Sequence, residues 1–307
     1  MPHQRGESYV EHRSQQTIAR EAEVAGVGFL WGADVRLKFL PAEPNYGIQF
    51  VRTDLGNSPS VPALVEFTVP QERRTVIENG GTRIEMIEHV MAALAGLQVD
   101  NCRVEVNAPE PPGCDGSSIF FADAIAQAGI VAQDQPRKVV RIQGDVVAAD
   151  DRGTDVRAQA VAHDGLEITY ELDYGPNSPI EAHTASYRIT PETFLNELAF
   201  SRTFVLEAEA DALKAQGYGA RLTAADLVIF GQDGPIENKL RAVDECARHK
   251  LLDCIGDLAL IGCDLQGHVI ARRSGHRLNA EIVRRLKLAH STHFFPNPET
   301  NGECRAA

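Results

Sequence analysis

The sequence predicts an α+β fold of two similar domains, each a β-sheet packed with α-helices, with the active site at the domain interface. Three observations lead there. Segments that alternate apolar and polar residues, such as 34–40, occur in both halves and are broken by a few clearly helical stretches. Strand-like segments precede helical ones in the same order in each half. His89 also precedes Gly96 by seven residues through an apolar helix, and His249 precedes Gly256 by the same seven. Two copies facing each other would bring Glu88 and His89 against His249 and Asp253, and interfaces are a usual place for a site. Chance agreement of two amphipathic helices is the alternative.

The elements follow in chain order. Residues 1–15 lack periodicity and read as a loose tail. The N-terminal domain is expected over 16–134. Its strands start near Thr17, turn at Gly26-Val27-Gly28-Phe29, and continue through 34–40, 47–52, 61–69 and 74–77. Asn79-Gly80-Gly81 is a hairpin turn. The first helix spans 87–96, with Gly96 as its stop. A strand at 101–106, a proline-rich loop at 109–117 and a helix at 120–128 follow. Polar 132–137, with Pro136, reads as the linker.

The C-terminal domain is expected over 137–290. It carries strands at 138–142, 155–162, 166–172 and 186–189, then a helix capped by Thr190 with Pro191 in its first turn. A helix at 207–215, a strand at 225–230, a long helix at 244–260, a strand at 267–272 and a helix at 280–288 complete it. Residues 291–307 read as a tail.

The long helix carries the chemistry. His249, Asp253 and Asp257 are spaced by four and share one face beside the apolar stripe of Leu251, Leu252, Ile255 and Leu258. Such a row supplies two metal ligands and an orienting carboxylate from one rigid rod. The spacing fits an exposed face with an ion pair equally well.

Composition narrows the class. The chain is 43% hydrophobic and 24% charged, ordinary for a globular protein with a real core. A net charge of -13 argues against nucleic acid as a partner, although a few local cations can hold a small phosphorylated ligand. The six cysteines form no C-x-x-C pair and read as reduced thiols. Met1 to Gln16 does not resemble a signal peptide, and no apolar run approaches the ~20 residues of a membrane helix. A cytoplasmic location is the expectation, and no protein partner is inferred.

Several segments together resemble one enzyme family. They are Ile87-Glu88-His89 through Gly96-Leu97, Asp100-Asn101, Asp115-Gly116-Ser117, Ser201-Arg202-Thr203-Phe204, Arg248-His249-Lys250-Leu251-Leu252-Asp253 with Gly256-Asp257, and Ser274-Gly275-His276 with Asn279. In this order they resemble the zinc-dependent UDP-3-O-acyl-N-acetylglucosamine deacetylases of lipid A biosynthesis, from about Gln16 to Leu288. The resemblance implies hydrolysis of the N-acetyl group of a UDP-linked acylated amino sugar, with release of acetate. It places the Zn2+ ligands at His89, His249 and Asp253, and the general base at Glu88. The oxyanion-stabilising hydroxyl falls on Thr203 and the proton donor on His276, partnered by Asp257. Lys250 adds positive charge, and Arg273 and Phe204 are expected at the substrate.

The donor set suits that chemistry. Two histidines and one aspartate leave a tetrahedral position open, and the ion lowers the pKa of water from about 15.7 toward about 7. Taken singly, Glu88 also fits a helix N-terminal charge, Asp257 a solvated carboxylate, and Thr203 a cap or strand residue. The early turn departs from the family pattern of Gly-x-Gly followed by His-Thr-Gly. Leu30 and Trp31 stand where the histidine and threonine are usual, which bears on acyl length or nucleotide. A paralogue acting on another N-acylated sugar and a zinc-bearing binding protein are the other readings.

Overall fold

The computed structural model describes residues 13–290, so the expected tails lie outside it except for 13–15. Those three are not tail: the first strand, β1, is Ser14–Ile18. It pairs antiparallel with a strand at the end of the first half.

Alternation in that half folds into one five-stranded sheet. Its members are β2 (Ala22–Val27), β3 (Asp34–Pro41), β4 (Ile48–Arg52), β5 (Ser60–Pro62) and a later strand, Cys102–Val106. The hairpin lies between, with β6 (Val76–Asn79) and β7 (Thr82–Glu85) pairing Asn79 with Thr82. Cys102–Val106 is therefore β8, and the sheet order is β2-β3-β8-β4-β5, antiparallel except for β4 with β8. Leu37, Phe39, Phe50 and Val104 point into the core. Helices α1 (Glu88–Gly96) and α2 (Ile119–Ala128) cover this face, and Phe121 of α2 meets Phe39 edge-on at 6.4 Å.

In the second half, the strands are β9 (Ile130–Pro136), β10 (Val139–Arg141), β11 (Val146–Ala149), β12 (Asp155–Gln159), β13 (Leu166–Leu172) and β14 (His183–Arg188). A short turn of helix, α3 (Pro191–Thr193), leads into a wider coil at Phe194–Leu198. Thr190 caps it, its side chain accepting the Thr193 N–H as expected. Next come β15 (Phe204–Leu206), α4 (Glu207–Ala215), β16 (Val228–Gly231) and β17 (Gly234–Pro235), the three strands forming a small sheet of their own. The chain ends with α5 (Glu245–Leu258), β18 (Asp264–Arg272) and α6 (His276–Ala289). The second large sheet runs β11-β12-β18-β13-β14, with β10 added parallel to β18. Helix α5 lies against β13 and β14, and α6 against β11 and β12.

Several expectations need correction. The linker at 132–137 is mostly strand: β9 pairs with β1 in a two-stranded ribbon, where polar residues and a terminal proline cost little. The strand expected over 61–69 stops at Pro62, and Val65–Phe67 forms a single helical turn. Helix α6 begins four residues before position 280, because its first turn is mostly polar, with Leu278 as its one core residue. The strand β11 gave no usable alternation in the sequence.

Helix α1 ends at Gly96, as expected, but the left-handed residue that follows it is Gln98, at φ 59°. A Cβ on Gly96 would lie 2.3 Å from the ring of Phe194, so the glycine is there to let that ring in.

The contact that positions the site is α1 on α5. A Cβ on Gly256 would fall 2.1 Å from the carbonyl oxygen of Glu88, so only glycine lets these helices approach so closely. A cavity of about 360 Å³ lies along the same pair, lined by Met91, Leu94, Ile255 and Leu258 on the faces turned away from the histidines. Its charged rim is already paired. Arg13 and Arg137 each bind both Asp100 and Asp264.

Candidate active site

Glu88 and His89 open α1, and His249, Asp253 and Asp257 form one row of α5. The close seat at Gly256 brings the two sets together. The rings of His89 and His249 stand 5.1 Å apart and nearly perpendicular. Nε2 of His89 is 3.5 Å from Oδ1 of Asp253, and Nε2 of His249 is 3.6 Å from the same oxygen. One ligand atom from each residue lies within 4.8 Å of the others.

Two further observations fit a cation at this point. Oδ1 of Asp253 is buried with no hydrogen-bond partner, a costly arrangement for a carboxylate unless something positive meets it. Its other oxygen, Oδ2, accepts a 2.6 Å bond from Lys250 Nζ. On His249, Nδ1 lies 3.1 Å from the Ser201 carbonyl oxygen, which can only accept. Nδ1 therefore carries the hydrogen, and the Nε2 lone pair faces the other ligands. Burial lowers His249 to about 4, so the ring stays neutral. Burial alone would raise Asp253, but the Lys250 ammonium and His249 hold it well below the usual carboxylate range. The donor set, two imidazoles and one carboxylate, suits a divalent transition metal.

A second cluster adjoins the first. His276 starts α6, where the helix dipole disfavours positive charge. Burial disfavours it too, yet Asp257 and Glu88 together raise the imidazole to about 9. Nδ1 of His276 lies 2.9 Å from Oδ2 of Asp257, and that oxygen also accepts 2.8 Å from Asn279 Nδ2. Glu88 is buried, and burial raises its carboxyl against the pull of His276 and His89.

The remaining expected residues are placed as follows. Thr203 Oγ1 donates to the Gly116 carbonyl at 3.0 Å and is 3.3 Å from Nε2 of His249. Phe204 meets His249 edge-on at 6.0 Å and Tyr174 at 5.9 Å, giving an aromatic path from the histidine to the half-exposed Tyr174. Lys250 is nearly buried on Asp253 rather than open to a ligand. Arg273 is exposed on the loop between β18 and α6. Trp31 is exposed and stacks edge-on with Tyr218 at 5.6 Å, while its backbone N–H and that of Leu30 donate to the buried Glu110 carboxylate. Glu110, and Thr75, which touches Glu88, Asp257 and His276, were not singled out by the sequence. A buried acid inside the proline-rich loop was the one available signal for Glu110.

Comparison with known proteins follows the same residues. The profile of the LpxC family, described as UDP-3-O-acyl N-acetylglycosamine deacetylase, matches residues 15–288. A UDP-3-O-acyl-N-acetylglucosamine deacetylase of Solibacter usitatus is 36% identical over 275 residues, covering 89% of this chain and 91% of that one. One of Myxococcus xanthus is 37% identical over 279 residues, with coverage of 89% and 86%. The bifunctional enzyme LpxC/FabZ of Chlorobaculum tepidum is 37% identical over 300 residues, and the match spans 89% of this chain but 64% of that protein. The ordered motifs, the matched profile and these relatives lead to one conclusion: the chain belongs to the UDP-3-O-acyl N-acetylglycosamine deacetylase family.

Proposed function

We propose that this protein is a zinc-dependent amide hydrolase that removes the N-acetyl group from UDP-3-O-(3-hydroxyacyl)-N-acetylglucosamine, releasing acetate in lipid A biosynthesis. The observation that carries this reading is the unpartnered Oδ1 of Asp253 between the imidazoles of His89 and His249, with an acid and a base of shifted pKa beside it. A pure binding protein has no use for that second pair. His89, His249 and Asp253 hold the ion, which polarises a carbonyl and acidifies water.

The chain's own groups do the rest. Glu88 takes the proton of the attacking water, because an ionised, buried carboxylate is a stronger base than a solvated one. His276, held cationic by Asp257, delivers a proton to the departing sugar amine. The Thr203 hydroxyl turns from Gly116 to the carbonyl oxygen as charge gathers there. Phe204 and Tyr174 offer apolar surface to the acyl chain. Arg273, with its free reach into solvent, meets the diphosphate, while Lys250 acts on the substrate only through its charge. The two large sheets with their helices are the two domains, over 16–134 and 137–290, and the site lies between them. Among the described residues no helix is long and apolar enough to cross a membrane, and a nucleotide-linked substrate agrees with a cytoplasmic location.

Metal analysis of the purified protein together with acetate release tests this reading. About one zinc per chain is expected, with release from the UDP-linked substrate well above that from other N-acetylated sugars. Preferred release from a different acetylated sugar would replace the substrate, and metal without any amide hydrolysis would overturn the enzyme.

A further inference from the structure

We infer that Thr75 is a positioning residue for both proton-transfer groups, its amide fixing the Glu88 carboxylate and its hydroxyl fixing the Asp257–His276 pair. The inference rests on the deacetylase reading for the reaction it serves. Four contacts support it. The Thr75 N–H donates to Oε2 of Glu88 at 3.1 Å. Its Oγ1 donates to Oδ1 of Asp257 in a short bond, and the same Oγ1 lies 3.1 Å from Nδ1 of His276. Its carbonyl accepts the N–H of Ile87, the residue before α1, at 3.4 Å.

The hydroxyl has a single hydrogen, which goes to Asp257 because a carboxylate can only accept. Its lone pairs then face Nδ1 of His276, so Nδ1 is the nitrogen that carries a hydrogen, shared between Oδ2 of Asp257 and Oγ1 of Thr75. The other ring nitrogen, Nε2, is left as the one that exchanges protons with a substrate. Thr75 thus holds the Asp257 carboxylate and the plane of the ring without touching substrate, while the carboxylate itself keeps the hydrogen on Nδ1. Asn279 holds Oδ2 of Asp257 from the other side, so the two oxygens of that carboxylate are pinned separately.

The hairpin explains how a residue far back in the chain arrives here. Register pairs Val76 with Glu85, which sets Thr75 opposite the last residues before α1. Thr75 is buried among these groups, so its hydroxyl is not a surface feature.

Thr75→Val keeps the volume and the amide but removes the hydroxyl; Thr75→Ser restores it. In the metal-loaded enzyme, Thr75→Val should lose about ten- to a hundredfold in kcat, the worth of a hydrogen bond to a charged group, with KM and bound metal unchanged. Thr75→Ser should recover to within a few-fold of the parent. Nitrogen-15 imidazole spectra of the same proteins without substrate, followed as the pH rises through about 9, should show the Nδ1 signal of His276 at one position in the parent and the serine variant and shifted in the valine variant, which loses the Thr75 contact to the ring. An unchanged His276 signal in Thr75→Val overturns the inference, as does a serine variant no better than valine. If the parent releases no acetate, the deacetylase reading fails, and the imidazole spectra still decide the role of Thr75.

Discussion

Asp253 treats its two oxygens differently: Oδ2 is held by Lys250, and Oδ1 has no hydrogen-bond partner, which leaves it to the proposed ion. That division predicts a single-oxygen ligand and a loss of metal affinity in Lys250→Met, checked by competition with a chelator. Glu88→Gln should keep the fold and the metal while lowering kcat about a hundredfold to ten-thousandfold, the usual worth of a positioned base. On the proposed mechanism turnover needs Glu88 ionised and His276 protonated, so the rate should climb as the raised Glu88 carboxyl loses its proton and fall as pH passes about 9. A rate profile on His276→Gln should lack the alkaline fall. The same shift bears on stability. Because His276 rises from 6.5 to about 9 on folding, its contribution is complete below about 6.5 and disappears as pH climbs through 9. The row of His249, Asp253 and Asp257 was legible because spacing by four puts all three on one face of α5. Thr75 was not, because it acts through one amide and one hydroxyl, and no pattern in sequence marks either.

At the scale of elements, the site depends on one crossing. Helix α1 brings Glu88 and His89 only as near as Gly256 on α5 permits. Gly256→Ala should destabilise the protein by about 3 kcal/mol, because the obstacle is backbone that cannot turn aside, and should release the metal at concentrations the parent retains. Thermal melting with and without added zinc measures both. Sequence periodicity located both helices, since their apolar stripes are continuous. It ended α1 at Gly96 but gave that glycine a turn's role, and it put the start of α6 too late. Neither error is about propensity. A glycine chosen for a neighbour's ring looks the same in sequence as one chosen for a turn, and a first helical turn that carries His276 and Asn279 has only Leu278 as an apolar residue, too little to show a period.

For the whole molecule, the two sheets are tied at the edge remote from the metal ligands by Arg13 and Arg137 on Asp100 and Asp264. Asp100 is buried there, so Asp100→Asn leaves two arginines sharing the single carboxylate of Asp264 and should cost about 3 kcal/mol, visible as a lower melting temperature with metal content unchanged. The strand-then-helix order of each half made the α+β class readable. Strand β9, which pairs with β1, was not, because its polar residues are mostly exposed and mimic a linker. The two tight glycines differ in what blocks them. Gly96 faces a side chain, Phe194, whereas Gly256 faces a peptide carbonyl. A genetic screen for restored growth would therefore yield second-site suppressors of Gly96→Ala at codon 194, where a smaller ring or an aliphatic chain makes room, and none of comparable simplicity for Gly256→Ala.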